Sequence, residues 1–438
     1  MADPDLNSGE RPAGRREVLA WAFYDFANSG YTTVVLTTIY SAYFVAVVAA
    51  PLNDHAAGSA TLLWTLSIAA ANLCVLLSGP VVGAIADRWA MRKRFLLLST
   101  LLCIASTALL AGTGPESLPL AVCLLVLSAI AFATGENLIA AFLPEIARQE
   151  SMGRISGFGW SVGYFGGLLT LGLCLAYIGW AESQGLDATH YVPRTLLITA
   201  VIFALTAAPT FLWLRERAAP QSGISGESYV HAGFRRVAET LRHAAHLPDL
   251  FRFLLSLTLF QAGVATVVVI AAIYAQEVMG FSSSELVVLI MVVNLTAAFG
   301  AFGFGFAQDR FGSVPSLTAA LLVWILAIAV AFAADSAAHI WLAGNLIGLA
   351  MGATQAGGRA LIARLTPAAR SAEIFGLWGL ANRAAAILGP VSYGLSNRLS
   401  GGDHQVALLS TLALFVAGLA LLAAVDEKRG MAAARSAG

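Results

Sequence analysis

A chain of 438 residues that is 58% hydrophobic and only 11% charged lies far below the roughly 25% charge of soluble domains. The deficit runs along the whole length. It excludes a globular enzyme with a single anchor and predicts an all-α polytopic membrane protein. The 25 basic and 25 acidic residues cancel, but their placement along the chain is strongly asymmetric.

Residues 1–16 are polar, without an apolar run and small-residue cleavage site, and read as a short cytosolic tail rather than a signal peptide. The first apolar run, about Val18 to Val48, contains Trp21 to Tyr43, which reads WAFYDFANSGYTTVVLTTIYSAY. On a helix, Trp21, Asp25, Asn28 and Tyr31/Thr32 share one face. A carboxylate at the bilayer centre costs about 2.5–3.5 kcal/mol on insertion scales, so that face is expected to turn inward. It serves either as a polar staple between helices or as a substrate or proton site. Further runs span about Leu62 to Ala86, Phe95 to Ala111, Leu118 to Phe142, Ile155 to Trp180 and Val192 to Leu214. A polar stretch, Arg215 to Leu250, follows. Within it, Val230, Phe234, Val237 and Leu241 recur at helical spacing opposite Arg235, Arg236, Glu239 and Arg242. That pattern predicts an amphipathic helix over about Ser228 to Ala245, lying along the cytosolic membrane surface as a tether or a partner-binding element. Asp249 is expected to cap the seventh run. The last six runs cover about Phe251 to Val278, Leu286 to Ala307, Pro315 to Ala334, Ile340 to Ile362, Ile374 to Leu395 and Val406 to Val425.

About 12 spans therefore divide six and six. The predicted organisation is a tail over 1–16, a six-helix bundle over 17–214, a linker over 215–250, a second bundle over 251–426 and a tail over 427–438. Basic residues gather at alternate ends: Arg15/Arg16, Arg88 to Arg94, Arg148/Arg154, Arg215 to Arg252, Arg310, Arg364/Arg370 and Lys428/Arg429. The opposite ends hold almost nothing basic except Arg194 and Arg398. By the positive-inside rule both termini and the linker face the cytosol, and a multi-pass protein of the cell (inner) membrane is expected. Cys74, Cys103, Cys123 and Cys174 all lie in apolar runs, lack metal-site spacing and read as small buried hydrophobes.

The halves repeat each other. Gly83-x-x-x-Asp87-Arg88, continuing to Arg92, closes the second span, and Gly305-x-x-x-Asp309-Arg310 closes the eighth. Pro144 is matched by Pro367. The glycines of the fifth span (Gly157, Gly159, Gly163, Gly166, Gly167) are matched by Gly376, Gly379 and Gly389 of the eleventh. Offsets of roughly 220 residues indicate two parallel six-helix halves. The glycines permit close helix approach. Each Asp, placed at a helix end where the dipole opposes it, needs a compensating partner. That partner either latches the cytosolic side across the half-to-half seam or is a plain structural salt bridge.

These duplicated loops and the six-plus-six layout resemble the major facilitator superfamily of secondary transporters over about Val18 to Val425. Ala90 stands where that pattern commonly has a glycine. Trp21-Ala22-Phe23-Tyr24-Asp25-Phe26-Ala27-Asn28-Ser29 resembles the first-helix signature of the fungal autophagy-related vacuolar amino-acid effluxers and their bacterial relatives. The resemblance implies a transporter, with amino-acid efflux as one activity, and a cavity lined by the first, fourth, seventh and tenth spans.

Four ionisable residues fall within or near the spans: Asp25, Glu136, Arg359 and Arg383. The acids are in the first half and the bases in the second. They either neutralise each other permanently or bind the two ends of a zwitterion, with a guanidinium fork on the carboxylate and an acid on the amine or on a coupling proton. Asn28, Asn137, Gln261, Asn294, Gln355 and Asn382 are candidate neutral hydrogen-bonding groups, and Trp160, Tyr164, Trp378 and Phe260 candidate aromatic walls. Zinc-protease, phosphate-loop and nucleophile-elbow motifs are missing, so gradient-driven transport rather than catalysis is expected, with no cofactor and no metal. The expected partners are a small-molecule substrate and membrane lipids, not nucleic acid, and the chain is expected to be a monomer. The expected function is proton-coupled efflux of a small polar metabolite, most simply an amino acid. The alternatives are an importer or drug exporter on the same fold, or a non-transporting membrane receptor or scaffold.

Overall fold

The computed structural model describes residues 14–88, 91–140, 142–146, 152–217, 238, 241–242, 244–366 and 371–436. Lipid offers no hydrogen bonds, so each apolar run must satisfy its own backbone, and each one is helical. The long helices are α1 (Arg15–Val48), α2 (Ser59–Arg88), α3 (Arg92–Leu110), α4 (Leu118–Ala140), α5 (Met152–Ser183) and α6 (Ala188–Trp213). After the linker come α7 (Pro248–Met279), α8 (Ser283–Phe311), α9 (Ser313–Phe332), α10 (Ala337–Leu365), α11 (Ser371–Leu399) and α12 (His404–Leu422). Eleven helices among the described residues are long and apolar enough to cross a membrane. The remaining long helix, α11, matches them in length at 29 residues but carries Arg383, Asn382 and Asn397. A shorter helix, α13 (Glu427–Ser436), closes the chain.

Local chemistry sets the ends. Asp187 starts α6 by accepting from the Thr189 N–H, Ser282 and Glu285 form a reciprocal capping box at α8, and Asp403 accepts from the N–H groups of Gln405 and Val406 at α12. Gly280 ends α7 in the left-handed region at φ +67°. Asp249 does not cap α7 as the sequence pattern predicted: the helix starts at Pro248, Leu247 is the cap, and the carboxylate is drawn instead to Arg429. The third helix also starts earlier than its apolar run, so Arg92, Lys93 and Arg94 form its first turn. The first helix is not uniformly α-helical. Thr32–Thr38 and Phe44–Val48 are π-helical, a rare widening that is frequent at functional sites.

The two halves pack alike. In the first, α1 packs on α5 and α6, and α4 on α2 and α3; in the second, α7 packs on α11 and α12, and α10 on α8 and α9. The glycine pattern works through the same pairs. A Cβ on Gly166 would sit 2.3 Å from the Phe26 carbonyl oxygen on α1, and one on Gly389 would sit 1.9 Å from that of Ala262 on α7. Gly300 and Gly352 give α8 and α10 the same closeness, whereas Gly376 and Gly379 have nothing within 4 Å. Cys103 and Cys174 are buried as expected. Cys74 and Cys123 are instead exposed.

The ends of α1, α6, α7 and α12 lie on one face, here the termini face. Each half is tied there by its own ion pairs. Arg217, after α6, holds Glu17 at 2.6 Å, and Arg429, after α12, holds Asp249 at 2.6 Å. Glu216 accepts from the Arg92 and Lys93 N–H groups at the start of α3, and Glu427 accepts from those of Ser313 and Val314 at the start of α9. Burial alone would raise the Glu427 carboxyl, but these helix-end donors and Arg364, 3.0 Å away, outweigh it and hold the group below its ordinary value. Arg92 pairs at 2.6 Å with Glu145, in the short helix Leu143–Ile146 of its own half. Arg310 lies exposed beside the Phe311 ring. Gly83, Asp87, Arg88, Gly305 and Asp309 lie outside the residues whose surroundings the structure describes, as do Pro367 and nearly all of the stretch read as an amphipathic helix.

The halves meet where α2 packs on α11, α5 on α8 and the Thr32–Tyr43 part of α1 on α7. On the face opposite the termini the two halves are bonded directly to each other. Tyr191 donates to Ser283 at 3.1 Å, Ser284 to Glu182 at 3.0 Å, and the Trp64 indole to the Val269 carbonyl at 3.3 Å.

Candidate functional site

The four intramembrane charges come together between the halves. Arg383 on α11 donates through Nη2 to Glu136 Oε2 at 2.5 Å and to Asn137 Oδ1 at 3.1 Å, both on α4. Glu136 remains 47% exposed and Arg383 19%, so this cross-half pair is open to water rather than sealed in the core. The second-half wall continues as an amide cluster. Gln261 on α7 donates through Nε2 to Asn382 Oδ1 at 2.9 Å and lies 3.5 Å from Gln355 Oε1 on α10, while Asn382 donates to the Trp378 carbonyl. The Gln261 Oε1 is buried and finds no donor among the described residues.

One turn along α10 from Gln355 is Arg359. Its guanidinium carbon lies 5.7 Å from the Trp160 ring centroid and 5.6 Å from that of Trp378. Trp160 belongs to the first half and Trp378 to the second, so this cation–π contact also spans the halves. Asp25 faces the same region, with Glu136 and Arg359 the charged groups that act on it. Its position depends on Gly159 of α5, where a Cβ would fall 2.6 Å from Asp25 Oδ2 and 2.5 Å from the Trp21 ring. Among the described residues no hydrogen bond is made to the Asp25 carboxylate.

The face of α1 read from the sequence divides on inspection. Trp21 donates to the Ile139 carbonyl and Tyr31 bonds Ser128, both on α4, so the aromatic members fasten the first half together. Asp25, with the edge of the Trp21 ring, lies against Gly159 of α5. Asn28 is 7% exposed, and its Oδ1 has no partner among the described residues. Phe260, read as a possible cavity wall, is fully buried against Gly418 of α12, because its position on α7 points into the second-half core. Asn294 donates to the Ile290 carbonyl of its own helix. Sequence reasoning named Trp160, Trp378, Arg359 and Asp25 separately. Their meeting had no signal in helical spacing, because it depends on which helices are neighbours across the seam. Among the described residues no cluster of His, Cys, Asp and Glu could hold a metal ion.

Comparison with known proteins agrees with this architecture. The family described as vacuole effluxer Atg22 like matches residues 13–435. The chain is 27% identical over 412 residues to the uncharacterized MFS-type transporter YxiO of Bacillus subtilis, covering 93% of this chain and 94% of that one. It is 23% identical over 298 residues to autophagy-related protein 22-1 of Aspergillus niger, covering 63% of this chain and 48% of the fungal protein. Among solved structures, a bacterial homologue of the human lysosomal transporter Spinster, in an inward-facing and occupied conformation, superposes with a TM-score of 0.70 at 16% identity, over 98% of this chain and 99% of that one. At that identity the likeness shows the fold alone. With a family match over nearly the whole chain and two six-helix halves meeting around a charged centre, the chain belongs to the Atg22-like family of major facilitator membrane transporters.

Proposed function

We propose that the protein is a secondary active transporter of small zwitterions, most simply amino acids, working by alternating access and coupled to protons in the direction of efflux. The observation that carries the reading is the division of charge across the seam. The first half presents Asp25, Glu136 and Asn137, and the second presents Arg359, Arg383 and the amides Gln261, Gln355 and Asn382. A zwitterion bridges such a divide: its carboxylate takes guanidinium N–H donors and its amine takes a carboxylate. Arg383 holds Glu136 and Asn137 through one nitrogen, which leaves the rest of its fork directed to cargo. A site with charges of both signs also disfavours a largely apolar cargo, which argues against a drug exporter.

Glu136 is the proposed proton carrier. Ionised, it receives the cargo amine while Arg383 takes the cargo carboxylate. Protonation from the face opposite the termini removes that negative charge and releases the cargo there, so proton and cargo move in opposite directions. Charge distribution along the chain supports the termini face as the cytosolic one. The direct bonds between the halves on the opposite face then correspond to a state closed away from the cytosol. The description of the family as a vacuole effluxer supports efflux as the direction.

The test is uptake and counterflow of labelled amino acids in proteoliposomes with an imposed proton gradient. Wild type is expected to move cargo in response to the gradient. Glu136→Gln is expected to retain exchange of cargo for cargo while losing its response to the gradient. Full proton dependence in Glu136→Gln would remove Glu136 from the coupling role.

A further inference from the structure

The tight seam on the face opposite the termini contains a group that gains nothing from being there. Asn397, near the end of α11, has 0% exposure, and neither Oδ1 nor Nδ2 finds a partner among the described residues. It is clamped by the other half. Gly58, just before α2, sits in the left-handed region at φ +76°, and a Cβ there would lie 2.6 Å from Asn397 Oδ1 and 3.0 Å from the Asn397 carbonyl oxygen. One turn back on α11, a Cβ on Gly394 would lie 2.0 Å from Thr65 Oγ1 of α2. The Gly402 N–H turns back onto the Asn397 carbonyl, and Gly402 itself packs on Ala57 of the first half. Backbone meets backbone here with glycine on both sides, and the Asn397 amide is left without hydrogen bonds among the described residues.

We propose that Asn397 is a built-in release element for this gate. It destabilises the closed seam, so that the halves part again once cargo has left. An amide buried with both polar atoms orphaned costs free energy that water restores when the seam opens. The closed state is thus penalised and the open one is not. The glycines make closure close enough to be tight, and the amide keeps it from being permanent. Loss of even one such penalty corresponds to about a tenfold shift in the open-to-closed ratio. The inference rests on the alternating-access reading.

Two replacements at this position predict opposite shifts. Asn397→Leu keeps the branched heavy-atom skeleton and removes both polar atoms, so the closed population should rise by about tenfold. Asn397→Asp buries a charge in place of an amide, so the open population should rise instead. The readout is the distance distribution between spin labels at Gln184 and Ala337, exposed positions on the same face in opposite halves, with the native cysteines replaced. If Asn397→Leu does not accumulate, Asn397→Ala removes the same polar atoms. Opposite shifts are the expected result. Two populations that neither variant moves, or that both move the same way, would overturn this inference alone. A single fixed distance in the otherwise wild-type chain would overturn the alternating-access reading and this inference with it.

Discussion

The pair between Arg383 and Glu136 makes the most quantitative demand on the proposed site. Glu136→Gln and Arg383→Gln, singly and together, form a double-mutant cycle. Two unit charges about 4 Å apart attract by about 4 kcal/mol at an effective dielectric of about 20, and by about 1 kcal/mol in water. The contact is a single N–H···O at 2.5 Å rather than a fork, and Glu136 is 47% exposed. The pair therefore lies toward the aqueous limit, and the expected coupling is about 1 kcal/mol. Reversible unfolding in mixed micelles supplies the four free energies. Arg383→Gln should cost less than a buried pair would, because the orphaned carboxylate keeps its water. Each single change should destabilise, and the double change should cost less than their sum by that coupling. Additive effects, within about 0.3–0.5 kcal/mol, would show that the two side chains do not interact in the folded protein and would refute the geometry.

Three further outcomes follow from other parts of the structure. Gly352→Ala should destabilise by about 1–3 kcal/mol, since its Cβ would fall 1.9 Å from the Ala297 backbone oxygen, while Gly172→Ala, with nothing within 4 Å, should be neutral or stabilising; unfolding of the two variants side by side checks this. Because the folded protein holds the Glu427 carboxyl below its ordinary value of 4.5, its contribution is fully present above that value and is lost as pH falls through the lower, folded-state value. Glu427→Gln should therefore lower stability near neutral pH and flatten the acid limb of the profile, and an unchanged acid limb would count against the α13 contact. Arg359→Lys keeps the charge but gives up the planar contact with Trp160 and Trp378, so amino-acid binding should weaken by about tenfold or more in a radioligand assay, with unaltered affinity assigning Arg359 to structure rather than cargo.

Much of this architecture was legible in the residues because lipid imposes simple rules. Apolar runs had to become helices, and part of the glycine pattern marks close packing, as Gly166 on Phe26 and Gly389 on Ala262 show, whereas Gly376 and Gly379 have no such neighbour. The charged residues of the centre were legible one by one, because an Asp or Arg inside an apolar run is conspicuous. Their partners were not. Periodicity tells which face of α1 holds Asp25, but only the fold tells that Trp21 and Tyr31 on that face reach α4 while Asp25 lies against Gly159. Asp249 read as a cap because its neighbours Pro248 and Leu250 fit a helix start. Arg429, 180 residues away, drew it elsewhere. Asn397 gave no signal at all, since an amide near the end of an apolar run is commonplace until its surroundings are known.

The central claim, that the seam binds a molecule carrying both charges, is tested most directly by thermal shift of the purified protein. An amino acid, its methyl ester and its deaminated acid are compared at equal concentration. Bound cargo stabilises the fold by mass action. The expected result is a concentration-dependent rise in Tm with the amino acid, much reduced when either charge is removed. Equal stabilisation by the ester or the deaminated acid, or by hydrophobic cations alone, would contradict the assignment of the Asp25, Glu136, Arg359 and Arg383 group as a zwitterion site.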